Sequence, residues 1–450
     1  MTAKTSSPPI LLKWLADWQV IPVGLLVPIL VFPTHNPSAV VALALLMIPV
    51  LWILHRLARG RFVTATPVDI PLFILLLTLP VGVWAAALPD LAIPHVIKYL
   101  LAVAFFYALV NTLTTSRKVK LAGWVVLIAT ALVAGVSMLG TAWSGGSKFL
   151  PASLTDRIPR LINAFWNPKG FHPNIVGGIL TMLVPVTAAY AWGARTWPHR
   201  LLLGLLFAGE TLALVLTQSR GALLGFAVAL IVVAVGRERR WAWAVPVLIV
   251  ATAVGVALYG VQPSLDLLMS SVGDSVVQSG EGRLELVSRG LYMIQDFSFT
   301  GIGLGMFSRV LPLLYPLFLV GPDTEVPHVH NIYLQMGIDH GLPGLIAFLA
   351  FLVLLWVMGV QAIRSSRGRP WEPLAIGLLA GLASHLVHGL VDTIGFTPRA
   401  SIIVWGHFGL LTAVWCWTQT CASAKYDMGV GSAETKVDSQ TNAEMGSACP

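Results

Sequence analysis

Charged residues are scarce in this sequence of 450 residues. Lys, Arg, Asp and Glu make up 11% of the chain, whereas about a quarter is usual in a soluble domain. Hydrophobic residues make up 56%, and the mean hydropathy is +0.80. This composition excludes an ordinary soluble protein and predicts an integral membrane protein.

Cysteines are also few, and short alternating segments typical of a transmembrane β-barrel are lacking. Cys416, Cys421 and Cys449 have no metal-binding spacing. Instead, apolar runs long enough to cross about 30 Å of hydrocarbon as helices recur along the chain. The sequence therefore predicts an all-α polytopic membrane protein, and we predict no cofactor. The net charge of +8 is spread over many loops, which indicates anionic partners and membrane topology, not nucleic acid.

The hydropathy pattern predicts about twelve transmembrane helices, and the loops between them alternate in charge. Of the 28 Lys and Arg residues, 18 lie at positions that a twelve-span chain with a cytoplasmic N-terminus keeps inside. Because cytoplasmic loops carry an excess of Lys and Arg, both termini are predicted in the cytoplasm. The predicted helices are residues 18–33, 37–54, 70–88, 95–113, 122–141, 173–192, 201–217, 221–235, 241–259, 344–363, 374–392 and 401–420.

This topology divides the chain into a membrane domain and a tail. Residues 1–422 form the transmembrane domain, with long outer loops at 142–172 and 260–343. The segment 423–450 is rich in Gly, Ser, Thr and Ala and is predicted to be a disordered cytoplasmic tail. Long loops between spans are where functional residues concentrate, so the two outer loops are the first places to look for a site.

The most informative motif lies in the second outer loop, where His328 and His330 precede Asn331. Asn331 is a favourable N-cap for a short helix over residues 332–340, with Gly341 as its C′ residue. His330 would then lie at a helix N-terminus, which favours an anion, and its imidazole suits a general base near pH 7. The alternative is that both histidines only bind loop backbone. No carboxylate or cysteine cluster nearby completes a metal site, so no metal is predicted.

Arginines are predicted on the same outer face. Arg220 joins two spans with almost no loop, where an arginine either snorkels to the interface or lines a polar cavity. Arg283 begins an amphipathic helix, and Arg289 falls on a different face of it because six residues rotate by about 600°. The glycine-rich stretch Gly301–Gly305 is interpreted as a close-packed turn, because no strand precedes it as a nucleotide-binding loop requires.

Polar residues also cluster at the outer ends of two predicted spans. His172 and Asn174 stand at the start of the sixth span, and His388 and Asp392 share a helix face near the outer end of the eleventh. Polar groups at that depth rarely face lipid. They either join helices by hydrogen bonds or line a site.

Together these motifs resemble the O-antigen ligase and polymerase superfamily. The resemblance rests on five stretches in order: Phe171–Asn174, Thr217–Gly221, Arg283 with Asp296–Phe307, His330–Gly344 and His388–Asp392. The fourth stretch is the most specific, and the first ~140 residues match only as hydrophobic spans. His328 is extra relative to the commonest pattern, Val287 stands where many relatives have Trp, and Asp339 stands where Glu is common.

The resemblance implies a metal-independent, inverting glycosyltransferase of the GT-C type in the bacterial inner membrane. It would transfer a glycan from undecaprenyl diphosphate to a lipid A–core or other acceptor at the periplasmic face. The resemblance implies His330 as the catalytic base, and Arg220 and Arg283 as ligands of the diphosphate, to which we add Arg289. A polysaccharide polymerase that uses the same donor and a membrane transporter are the alternatives. Supporting roles are predicted for His328, Asn331, His172, Asn174, His388 and Asp392.

Overall fold

The computed structural model describes residues 9–141, 170–260, 280–319, 325–394 and 398–431, together with the single residues 143, 158 and 161. Within these ranges the fold is all-α and contains no strand, as the sequence predicts. Two short 3₁₀ helices, Pro33–His35 and Arg239–Trp243, accompany the α-helices. The α-helices are α1 Ile10–Asp17, α2 Val20–Val31, α3 Ser38–Arg59, α4 Asp69–Ala85, α5 Pro89–Thr112, α6 Ser116–Gly140, α7 Pro173–Gly193, α8 Trp197–Leu216, α9 Arg220–Arg237, α10 Ala244–Tyr259, α11 Gly280–Asp296, α12 Phe307–Leu314, α13 Ile332–Ser365, α14 Glu372–His388 and α15 Pro398–Gly431.

Each of the twelve predicted spans corresponds to a helix, and the prediction of a polytopic membrane protein is confirmed. Nine helices in the described ranges are long and apolar enough to cross a membrane, or ten if α1 and α2, which meet at 61°, form one bent span. Helix α4 is shorter, and α14 does not pass this test. Nearly all of α14 is buried among other helices. Its polar residues therefore face protein instead of lipid, which removes the need for a uniformly apolar surface.

Aromatic side chains form the largest core of the bundle. Phe106 of α5, Phe351 of α13 and Phe408 of α15 are almost completely buried. The ring centroids of Phe351 and Phe408 lie 5.5 Å apart, and those of Phe106 and Phe351 lie 6.2 Å apart. Offset or edge-on aromatic pairs at such distances stabilise a core beyond the area they bury.

Small residues bring α7, α9 and α14 into close contact. The hydroxyl of Thr181 on α7 donates to the carbonyl oxygen of Ala222 on α9 at 2.8 Å. The same hydroxyl lies 2.6 Å from that of Ser384 on α14. Small residues and hydroxyl hydrogen bonds are the usual means of helix association in membranes, where lipid is as apolar as the helices. The outer ends of these three helices are thereby fixed relative to one another.

The glycine-rich stretch of the second outer loop is a close-packed turn, which confirms its interpretation. Gly301, Gly303 and Gly305 have φ of 67°, 98° and 70°, a region that favours glycine. The amide of Ile302 donates to the carbonyl oxygen of Ile338 at 2.8 Å. This turn packs the loop between α11 and α12 against the outer part of α13.

Helix α15 runs to Gly431, so its last turns include residues 423–431 of the predicted tail. Residues 432–450 lie outside the described residues. The same holds for most of the first outer loop, at 144–157 and 162–169, and for residues 261–279 and 320–324 of the second. The prediction of a disordered tail therefore stays a prediction.

Close packing of α7 on α14 predicts a strong effect of Gly377→Ala. A Cβ at Gly377 would lie 2.4 Å from the Cα of Val186, so the two helices must separate. Such overpacking costs about 1–3 kcal/mol. We expect a lower thermal unfolding midpoint in detergent, measured by size-exclusion chromatography after heating.

The matched control is Gly204→Ala on α8, where a Cβ meets nothing within 4 Å. Because Ala has a higher helix propensity than Gly, this variant should unfold at the wild-type temperature or above it. An unfolding midpoint of Gly377→Ala equal to that of the control would contradict the described packing.

Candidate active site

Asn331 caps the N-terminus of α13, as predicted. Its Oδ1 accepts hydrogen bonds from the amides of Tyr333 and Leu334, both at 3.0 Å. The first helical segment ends at Gly341, whose φ of 68° and ψ of −175° interrupt α13. Both the predicted cap and the predicted C′ glycine are thus confirmed, and a short outer segment precedes the long membrane helix.

His330, immediately before this cap, has a φ of 55°. Residues with a Cβ rarely adopt this left-handed conformation, and a strained residue of this kind costs about 1–3 kcal/mol. The surrounding structure must therefore hold it. Its own amide donates to Nδ1 of His328 at 3.3 Å, and the two imidazole rings lie 4.2 Å apart.

The turn at residues 389–392, which follows α14, holds the start of α13 from the other side. The amide of Ile332 donates to the carbonyl oxygen of Gly389 at 2.8 Å. The side-chain amide of Asn331 donates to the carbonyl oxygen of Leu390 at 3.0 Å. These bonds join two segments that are far apart in sequence.

The next two residues of this turn contact the charged groups of the site. Arg283 donates to the carbonyl oxygen of Val391 at 3.1 Å. Nδ1 of His330 lies 3.6 Å from Oδ1 of Asp392, close enough for an ion pair when the imidazole is protonated. One turn of backbone therefore positions the histidine and the arginine that the sequence marks as functional.

Arg283 is 95% buried, since only 5% of its surface is exposed. Burial lowers the pKa of its guanidinium, the carboxylate of Asp392 raises it, and the charge of Arg220 lowers it further. Arg220 at the start of α9 therefore lies within electrostatic reach of Arg283. Within the described residues, the buried Nε of Arg283 has no hydrogen-bond partner, so it remains a donor for a ligand.

Asp392 is a buried carboxylate surrounded by imidazoles. Burial alone would raise its pKa, but the neighbouring side chains of His330, His388 and His328 hold it well below its ordinary value. The group is therefore ionised at neutral pH. It offsets part of the positive charge of the two arginines.

His328 is neutral at physiological pH. Burial lowers its pKa to about 3, the neighbouring His330, Arg283 and His172 lower it as well, and Asp392 opposes them. The neutral Nδ1 is the acceptor for the His330 amide, which gives His328 a role in holding the loop.

His172 stands immediately before α7 and joins the same group of residues. Burial lowers its pKa, Asp392 raises it and His330 lowers it, so it lies within electrostatic reach of both. Asn174 is buried at the first turn of the helix. A cavity of about 1170 Å³ opens beside His172, lined mainly by apolar side chains of α2, α6 and α7, with His35 and Lys98 among its few polar residues.

His388 lies at the end of α14 with 2% of its surface exposed. Its imidazole fits between α7 and α9, because both helices have glycines at the contact, Gly178 and Gly221. A Cβ at Gly178 would lie 2.9 Å from the ring of His388. This packing fixes the turn that follows α14, and with it Asp392.

The contacts of Arg289 do not bring it to the other predicted site residues. Its guanidinium lies 3.4 Å from Glu285, donates to the carbonyl oxygen of Pro316 at 3.1 Å, and stacks over Phe318. These contacts hold the segment after α12 against α11. The different helix faces of Arg283 and Arg289, expected from their spacing, explain why their contacts differ.

Three groups of the site have the chemistry of metal ligands. The ligand atoms of His328, His330 and Asp392 all lie within 4.8 Å of one another. The sequence did not indicate this group, because Asp392 approaches only through the fold. The guanidinium group of Arg283 lies within electrostatic reach of Asp392 and of the guanidinium group of Arg220. These two positive charges repel a divalent cation. The charge distribution therefore favours an anionic ligand.

Sequence analysis missed Gln335, which lies on the buried side of the outer segment of α13. Its side chain contacts both the histidine loop and Asp339. The available signal was its spacing, because a polar residue four positions before an acid on an otherwise apolar helix face predicts a paired contact.

Comparison with known proteins adds one finding. Residues 202–349 match the model of a family described as O-antigen ligase. The matched region contains Arg220, Arg283, His328 and His330, whereas His172 and Asp392 lie outside it. No curated protein matches the chain. The match confirms the resemblance found from the sequence motifs: a central region of this polytopic membrane protein is similar to the O-antigen ligase family.

Proposed function

We propose that this protein is an O-antigen ligase. It transfers a glycan from undecaprenyl diphosphate to a lipid A–core or other acceptor at the periplasmic face of the bacterial inner membrane. The observation that carries the proposal is the approach of His330 and the buried Arg283 to one turn, Val391–Asp392, in a chain similar to this family. The distribution of Lys and Arg over the short loops supports cytoplasmic termini and an outer active site.

The two arginines suit a diphosphate leaving group. Negative charge develops on the phosphate oxygen as the C1–O bond of the donor sugar breaks, and fixed cations stabilise that charge most when water is excluded. Arg283 is held by the carbonyl oxygen of Val391, and its Nε has no hydrogen-bond partner among the residues that the structure describes. Guanidinium groups bind phosphates through two parallel hydrogen bonds, so they can take the place of a metal ion.

His330 suits the role of general base. In the tautomer with a proton on Nδ1, that proton points towards Asp392, and Nε2 is left to accept the proton of the acceptor hydroxyl. The hydroxyl oxygen attacks the anomeric carbon as the electron pair of the C1–O bond passes to the diphosphate. The imidazolium that forms is stabilised by the carboxylate of Asp392.

The cavity beside His172 supports a lipid-linked substrate. It is lined mainly by apolar side chains and lies next to a residue within electrostatic reach of His330. A polyprenyl or acyl chain would occupy such a space, while the diphosphate stays at the level of the headgroups. Transport is less well supported, because the site residues His330, Arg283 and Asp392 meet at one turn after α14 and do not line a path through the bundle.

A polymerase that joins lipid-linked repeats would use the same donor and the same base, and the family match is compatible with it. The two reactions predict different intermediates in a deletion strain. Loss of a ligase leaves full-length polymer on undecaprenyl diphosphate, and mass spectrometry of the lipid-linked glycans should detect it. Accumulation of single repeats would instead identify a polymerase.

His330→Ala should abolish glycan transfer while the protein remains folded. Loss of a general base reduces rates by about 10²- to 10⁴-fold. His328→Ala should reduce the rate less, because its imidazole acts on the loop and not on the substrate. Transfer is measured with purified protein, lipid-linked donor and acceptor, and folding by size-exclusion chromatography.

The matched control for the histidine variants is His199→Ala, which changes an exposed histidine in the first turn of α8 that pairs with Thr196. It should transfer glycan at the wild-type rate. Near-normal transfer by His330→Ala would contradict the assignment of His330 as the base. Uptake of solute into vesicles that contain the His330→Ala variant would favour a transporter.

Arg283→Lys should also reduce transfer, although it keeps the charge. Lysine cannot reproduce the planar fork of a guanidinium, which holds the Val391 carbonyl and a phosphate at the same time, and removal of one donor to a developing anion typically reduces rates by about 10²- to 10³-fold. Arg220→Lys should show a loss in the same direction. The comparison is Arg309→Lys, the same change at an exposed arginine of α12, which should be silent. Equal rates for Arg283→Lys and Arg309→Lys would contradict the proposed diphosphate contact.

A further inference from the structure

The histidine loop is held by a buried side chain that does not reach the ligand-binding side of the cluster. The amide of Val329 donates to Oε1 of Gln335 at 3.1 Å. Val329 is 1% exposed and Gln335 is 4% exposed, so water cannot replace this bond. A buried amide left without a partner costs about 1–3 kcal/mol. The backbone immediately before His330 is therefore tied to the helix that follows it.

The orientation of the Gln335 amide is set by Asp339, one helical turn later. Nε2 of Gln335 donates to Oδ1 of Asp339 at 3.0 Å. The backbone amide of Gly305 also donates to this carboxylate. Gly305 is itself fixed in the glycine-rich turn, because a Cβ there would lie 2.3 Å from the ring of His95. Donors therefore surround Asp339, and Gln335 has one arrangement that satisfies both of its ends.

These hydrogen bonds restrain the backbone next to His330, which has an unusual conformation. Its φ of 55° is left-handed, and in this conformation Nδ1 lies 3.6 Å from Oδ1 of Asp392. The extended conformation is the ordinary alternative for such a residue. Asn331 holds the chain after His330, and Gln335 holds the chain before it. Without the Val329 bond, the loop is free to relax towards the extended conformation.

We propose that Gln335, oriented by Asp339, is a positioning residue that keeps His330 in its left-handed conformation. Only the expected effect on the kinetics rests on the proposed function, in which His330 is the base. Gln335 itself does not touch substrate. The positioning depends on one chain of hydrogen bonds, which runs from Gly305 through Asp339 and Gln335 to Val329.

Exchanging the side-chain amide of Gln335 and the carboxylate of Asp339 tests this chain of hydrogen bonds. Gln335→Glu alone places two carboxylates against each other, and Asp339→Asn alone leaves two donors facing each other at one of the contacts. In the double variant, the carboxylate introduced at position 335 would accept from the Val329 amide and from the side-chain amide introduced at position 339. The oxygen of that side-chain amide would accept from Gly305. Each single change should therefore disturb the loop, and the pair should restore it.

Two readouts are used, and one of them is independent of substrate. The first is the rate at which diethyl pyrocarbonate modifies His330, followed by mass spectrometry of the purified protein. The second is the kinetics of glycan transfer. In each single variant, diethyl pyrocarbonate should modify His330 faster than in the wild type. The kcat should fall roughly 10- to 100-fold. The KM for the donor should not change, because the arginines are untouched. The double variant should return to within about threefold of wild type in both readouts.

The control is Gln361→Leu on the membrane part of α13, where Oε1 accepts from Trp415. It should leave both readouts unchanged, whereas Gln335→Leu should behave as the single variants do. A double variant no closer to wild type than either single variant would overturn the proposal, as would wild-type reactivity and kcat in Gln335→Leu. If the wild-type protein transfers no glycan but the reactivity pattern holds, the proposed function fails and the positioning role stands.

Discussion

Four consecutive residues after α14 connect the parts of this site. The carbonyl oxygens of residues 389, 390 and 391 receive hydrogen bonds from Ile332, Asn331 and Arg283, and the carboxylate of the fourth residue faces His330. These donors come from α11 and from the start of α13. The turn itself is fixed because His388 is enclosed between α7 and α9. The geometry at the outer face therefore depends on helix packing inside the bundle.

The fold and much of the cluster could be predicted from local patterns. Long apolar runs identify the spans, and the Asn331 cap and Gly341 stop are readable within a few residues. Helix α14 is predicted as a span as well, although it is surrounded by protein and need not be apolar on every side. The partnership of His330 with Asp392, and that of Gln335 with Val329, could not be predicted, because both depend on tertiary contacts. Spacing also predicts that Arg289 lies on a different helix face from Arg283, and its role as a ligand of the diphosphate stays a prediction.

Burial gives the cluster its chemical character. Arg283 is enclosed with one carboxylate nearby, and a second guanidinium lies within electrostatic reach. An enclosed site with this excess of positive charge attracts anions more strongly than the same groups would in water. His328 remains neutral beside it and serves as an acceptor, so the two histidines of one short motif have different electrostatic roles.

The interruption at Gly341 divides α13 into a membrane part and an outer segment. Below it, the helix faces lipid, with Ile346 65% exposed, and must adapt its tilt to the thickness of the bilayer. Above it, the short segment that presents His330 is anchored to the glycine-rich turn, where the amide of Ile302 donates to the carbonyl oxygen of Ile338 at 2.8 Å. The break at Gly341 thus sets the lipid-facing part of α13 apart from the part whose position the outer loop determines.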